Sequence, residues 1–186
     1  MPRDGRALLR AVPMAGTNYG GEDEMAYSGL DTYLNDHMAG ATAGCNLAQM
    51  ASEEHQTDEH GPFFSEIYAE ISADKDTLQQ LMDALGVDES ASKTALAEVG
   101  SKLMGPKFTG GDDDALNAFV TVETLSIGVE GKVCMWKALK TVEDDYAAFE
   151  QFNIDDLLAR ATAQREKLEA QRQKIAPAAL KHTVNA

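Results

Sequence analysis

Residues 62–86 read PFFSEIYAEISADKDTLQQLMDALG, and their apolar positions fall at alternating spacings of three and four: Phe64, Ile67, Ile71, Leu78, Leu81 and Leu85, with Asp74 at the one polar step. Such a row returns to one side of an α-helix at every turn. Pro62 carries the φ of a first helical residue, and Gly86 accepts the left-handed conformation that ends a helix. The stretch is therefore a long helix with a single apolar face, and that face has to be covered by other helices.

The covering segments lie on either side. Upstream, from about Leu30 or Asp31, the positions Leu30, Leu34, His37, Ala41, Gly44 and Ala48 repeat in the same way and end at the polar loop Ser52 to Gly61. Downstream, Leu116, Phe119, Glu123, Ile127, Glu130, Cys134 and Lys137 give a third register, with two glutamates where apolar residues belong. A fourth begins near Asn153, a plausible N-cap, and runs Ile154, Leu157, Ala161, Gln164, Leu168, Gln171, Ile175 before Pro177. The run Asp112, Asp113, Asp114 supplies an N-cap and a favourable charge for the third helix. The fold class is all-α, a four-helix bundle over residues 28–176. Residues 1–27 are expected to be an unstructured arm, and 177–186 a loose tail.

The connection from 87 to 112 contains one short amphipathic helix, about Ala91 to Met104, and is long enough to travel the length of the bundle. Short hairpins join the other helices, so one crossover separates two hairpins. With that connectivity, the stretch Tyr33-Leu34-Asn35-Asp36-His37-Met38-Ala39-Gly40-Ala41-Thr42 and the stretch Leu125-Ser126-Ile127-Gly128-Val129-Glu130-Gly131-Lys132 resemble a distant member of the ferritin-like superfamily. The resemblance rests on architecture. Ferritin-like di-metal sites draw on paired Glu-x-x-His motifs, and the residues three before His37, His55, His60 and His182 are Leu34, Ser52, Thr57 and Ala179.

Aligning the helix ends brings His37, Asp74, Glu130 and Gln164 within ~6 Å of one height along the bundle. Glu70, Glu123 and Gln171 form a second layer. An imidazole and two carboxylates with a water would suit Zn²⁺, Fe²⁺ or Mn²⁺, so His37, Asp74, Glu130, Glu123 and Glu70 are the candidate ligands of a degenerate metal site. The facing glutamines favour a hydrogen-bonded layer instead: Glu130 against Gln164, Glu123 against Gln171, and Asp74 against a protonated His37. No cofactor is expected, and a divalent metal is the one candidate. The loop Glu53 to His60, with its two histidines, reads as a solvated acidic loop. Gly40, Gly44, Gly128 and Gly131 read as small faces for close helix packing.

Across all 186 residues, 31 acidic groups against 16 basic ones leave a net charge of −15, which repels phosphate and anionic lipid. Nucleic acid and membranes are excluded as partners on that ground, and a homodimer through a helix face is retained. Cys45 and Cys134 have no metal-binding spacing and read as buried free thiols, and no signal-peptide-like apolar run opens the chain, so the expected location is the cytoplasm. The function that follows is a non-enzymatic interaction protein, or a stress-associated one by the resemblance alone. The alternative is an Fe, Mn or Zn redox or storage protein. A binding module for a small apolar ligand leaves no short motif and stays open.

Overall fold

In a computed structural model of the chain, residues 28–88 and 113–181 are described. They form α1 (Ser28–Glu54), α2 (Gly61–Leu85), α3 (Asp114–Lys140) and α4 (Ile154–Ala179), with two 3₁₀ turns, Glu143–Asp145 and Ala147–Gln151, between α3 and α4 and no strand. The expected arm, the short helix at 91–104 and the tail beyond 181 lie outside the described residues.

The helix ends follow the local chemistry of the sequence. Asp113 accepts a hydrogen bond from the Leu116 amide at 3.0 Å, and Asn153 accepts from Asp156 at 3.2 Å, as N-caps do. Gly86 closes α2 at φ 71°, its own amide and that of Val87 returning to Asp83 and Met82. Pro177 does not stop α4, which runs on to Ala179. By then the chain has already made its helical turns, and a proline near the end forfeits few hydrogen bonds. In the α1–α2 connection, Gly61 lies against the backbone carbonyls of His55 and Gln56, and a Cβ there would collide with them. Between them, the ring of His55 stacks on Phe64 at 4.9 Å and its Nδ1 meets Asp58 Oδ2 at 2.6 Å. That loop is thus anchored on a buried imidazole, not simply solvated as its composition suggested.

Two apolar clusters fill the bundle. One joins Leu34 and Met38 of α1, Leu78, Leu81 and Met82 of α2, Val133, Trp136 and Leu139 of α3, and Ile154 and Leu157 of α4. The other joins Cys45 and Ala48, Phe64 and Ile67, Phe119 and Val122, and Leu168 and Ile175. The start of α1 therefore shares an end of the bundle with the finish of α2, the finish of α3 and the start of α4. Helix α1 packs on α2 and on α3, and α3 packs on α4. Chain direction alternates within each hairpin, and α2 leaves one half of the core while α3 enters in the other.

The third register was misread. Helix α3 buries Ala118, Phe119, Val122, Leu125, Val129, Val133 and Trp136, while Glu123, Ile127, Glu130, Cys134 and Lys137 are exposed. Because α3 touches both α1 and α4, its apolar surface wraps much of the helix, and several stripes can be drawn through it. The correct one is the one that leaves both glutamates outside. Cys134 is consequently an exposed thiol, whereas Cys45 is buried as expected.

Candidate functional site

Between the two apolar clusters the core is interrupted by charge. Asp74 of α2 is 5% exposed and receives hydrogen bonds from Lys132 of α3, from Arg160 of α4, and from the Gln164 amide at 2.9 Å. Lys132 also donates to the Gln164 side-chain oxygen. Each group is placed by its helix: Asp74 continues the buried row of α2, and Lys132 lies one residue before Val133, pointing across the bundle. The side chain of Lys132 is only 16% exposed. Burial pushes its pKa down to about 8, with the carboxylate of Glu70 pulling the other way. Arg160 reaches the layer from the surface and remains half in water.

The five candidate ligands do not share a site. His37 is half-buried, with its ring edge against Tyr33 at 4.5 Å, and burial lowers its pKa, so it is the neutral imidazole at pH 7 and not the cation expected beside Asp74. Glu130 is exposed and pairs with Arg165 at 3.3 Å, not with Gln164. Glu123 is exposed and pairs with Arg172 at 3.2 Å, not with Gln171. Glu70 and Glu66 share the ammonium of Lys167. Among the described residues no three His, Cys, Asp or Glu side chains converge. The polar layer exists and includes Asp74 and Gln164 as the spacing indicated. Its cations, Lys132 and Arg160, were not among the residues expected there, because a charged side chain beside an apolar stripe looks solvated until a buried partner is known.

A second feature lies on the other side of Lys132. Helices α1 and α3 leave between them, over α2, a mainly apolar cavity of about 350 Å³, lined by Gly40, Gly44, Ile127, Gly128 and Gly131, with His37 and Trp136 and the charged Asp36, Asp74, Lys75 and Lys132 also on its wall. The four glycines do not serve close packing: a Cβ built on any of them meets nothing within 4 Å. The rest of this face is unusual for the chain. From His37 to Ser52, sixteen residues of α1 carry no Asp, Glu, Lys or Arg, in a protein where a quarter of the residues are charged, and Thr124 to Val129 of α3 is likewise uncharged. Ile127 is 70% exposed and Met50 51%. That uncharged run was visible in the sequence and is the signal by which the face could have been found.

Helix-interior glycines with nothing above them lower stability without a packing return. Gly44→Ala and Gly128→Ala are each expected to raise the unfolding free energy by roughly 0.5–1 kcal/mol, as read by urea titration at protein concentrations low enough to exclude association. A loss of stability in either variant would show that the space is needed by the fold itself. Comparison with known proteins returns no match for this chain among family models, curated proteins or solved structures.

Proposed function

We propose that this protein is a non-enzymatic, cytoplasmic bundle of ferritin-like architecture that works by binding another protein on its α1/α3 face. One observation carries the reading: the fold gives up stability at four glycines to keep a mainly apolar groove open to the surface. Interface centres are depleted in charge relative to the surrounding surface, and stability given up at surface positions commonly accompanies function. The ferritin-like reading draws on the helix directions, which call for a single crossover between α2 and α3. The cytoplasmic reading draws on an exposed and a buried free thiol. Among the described residues no helix is long and apolar enough to cross a membrane.

Cys134 follows Ile127 and Gly131 at helical spacing and reports on this face. In intact cells its labelling by a membrane-permeant maleimide should be several-fold slower than in dilute purified protein, with Ala159→Cys on the exposed side of α4 as the reference thiol and buried Cys45 as the unreactive one. Equal rates for Cys134 in the two settings would sink the reading. The metal-binding alternative would require Asp74 and Glu130 to exchange their organic cations for an ion. Elemental analysis of untagged protein is expected to find well under one equivalent of Fe, Mn or Zn, and a full equivalent lost in both Asp74→Ala and Glu130→Ala would favour it.

A further inference from the structure

We infer that the cavity between α1 and α3 binds a single-chain carboxylate of about ten carbons, its head group on the Lys132 ammonium and its chain lying along the glycines. The inference goes beyond the reading of the surrounding face as a protein interface, since it concerns the depth of the groove and not its rim. Three observations carry it.

The first is shape. From Asp36 to Leu47 on α1 and from Thr124 to Trp136 on α3, the walls run ~16–18 Å along the bundle. The volume of about 350 Å³, at roughly 30 Å³ per non-hydrogen atom in a liquid, holds about twelve atoms. A chain fills such a slot, whereas a ring system of the same size would leave its ends empty. The protein itself leaves the slot open, because the glycines on both walls have nothing above them.

The second is an unused donor. An ammonium has three N–H donors. That of Lys132 gives one to Asp74 and one to Gln164, and among the described residues the third has no acceptor. An enclosed cation short of an acceptor gains more from a carboxylate oxygen than a solvated one does. Lys132 and Asp74 both belong to the cavity wall, and from Lys132 to Thr124 ~12 Å of α3 brings Leu125, Gly128 and Val129 to the same cavity. Head-group and chain sites are therefore contiguous.

The third is the balance of charge. On the wall, Asp36 and Asp74 are matched in number by Lys75 and Lys132. Arg160 also meets Asp74, so one buried carboxylate serves two cations. Glu70 is taken up by Lys167, and the exposed Glu123 and Glu130 by Arg172 and Arg165. Asp36 is exposed at the rim. The floor is thus left with positive charge in excess, enough for a singly charged head group and not for a phosphate dianion. The net charge of −15 acts at longer range and is screened over ~8 Å at physiological salt.

Calorimetric titration of the full-length protein with decanoate at physiological salt tests this. A saturable complex with a dissociation constant on the order of 10–100 µM is expected. Decanol and decylamine, which carry the same chain, should each bind at least ~10-fold more weakly. Lys132→Met should weaken decanoate by ~10-fold or more and leave decanol as it was. Gly128→Leu, which fills the chain site, should abolish binding of both. Gly128 borders open space, and Asp74 keeps Arg160 and Gln164 in Lys132→Met, so both variants should retain the helical signal and cooperative unfolding.

Proton uptake gives a readout that needs no variant. Burial pushes the Lys132 pKa down to about 8, so at about pH 9 the free protein holds this amine mostly deprotonated. The charged groups around it are Asp74, Lys75 and Glu70 of α2, Arg160 of α4 and Asp36 of α1, and side chains of those types have their midpoints elsewhere. Burial also keeps His37 neutral. An arriving carboxylate restores the proton, so titrations in buffers of different ionisation heat should show an uptake of roughly half a proton or more.

No saturable decanoate binding below ~1 mM overturns the inference. Decanol or decylamine binding as tightly as decanoate overturns it too, as does decanoate binding without proton uptake, because the head-group site would then not be the lysine. If decanoate fails to bind while Cys134 is protected in cells and free in purified protein, the inference falls and the reading of the face as a protein interface stands.

Discussion

Asp74→Ala is expected to cost about 3–5 kcal/mol of folding stability, read from urea unfolding at pH 7. The carboxylate is 5% exposed and is the acceptor on which Lys132, Arg160 and Gln164 converge. Arg160 is half in water and can turn outward when the acceptor is removed. Lys132 has less room, its side chain being only 16% exposed, and would retain the Gln164 oxygen and the more remote charge of Glu70. The penalty is therefore that of a buried cation left short of its counter-charge, with a smaller contribution from the space vacated.

Replacing the whole layer is a different matter. Asp74→Leu combined with Lys132→Met and Gln164→Leu removes the buried polar groups of this layer together, and should restore wild-type stability or exceed it. Asp74→Ala costing less than about 1 kcal/mol would show that water reaches Lys132 and that the layer is not a buried one.

The stability of the wild type relative to Lys132→Met should rise as pH increases from about 8 towards the ordinary lysine value of 10.5. The folded-state pKa of Lys132 lies below its unfolded value because burial disfavours the charged form. Below about pH 8 both states hold the proton and the difference is flat. Between the two values the unfolded chain holds the proton and the folded one does not, so unfolding becomes less favourable with increasing pH. Across the full window the gain is roughly 3 kcal/mol. An ion pair that outweighed burial would produce the reverse, a loss of stability as Lys132 deprotonates. Paired thermal or urea titrations of wild type and Lys132→Met at pH 7.5 and pH 10 give the sign directly, and a falling difference would mean that attraction to Asp74 and Glu70 dominates the site.

The buried rows of α2 and α4 were largely legible, including Asp74 and Gln164 of the layer, although Leu85 and Gln171 are only partly buried and the fully buried Met82 was missed. Each of these helices has one narrow apolar stripe and a densely charged remainder, so only one orientation buries the apolar groups while leaving the charges in water. The caps were legible for a similar reason: Asp113, Asn153 and Gly86 act within their own turn of chain. Helix α3 was not, because Val120, Ile127 and Leu116 extend its apolar surface beyond any single stripe, and the stripe chosen carried Glu123 and Glu130 inward. Once that register was taken, the layer acquired two glutamates it does not possess and lost the lysine it does.

What the sequence by itself determined is the set of elements: four long helices, the caps at Asp113, Asn153 and Gly86, two orientations out of four, a net acidic molecule, and an all-α fold. These follow from local capping and from periodicity, which act over a few residues. Only the tertiary structure decided which side of α3 is buried, that Asp74 is met by Lys132 and Arg160, and that the glycines of α1 and α3 border open space and not a packed contact. Those are relations between helices far apart in the chain. They depend on how each helix is rotated against its neighbours, and an apolar surface that wraps most of a helix leaves that rotation to be chosen by the packing of all four.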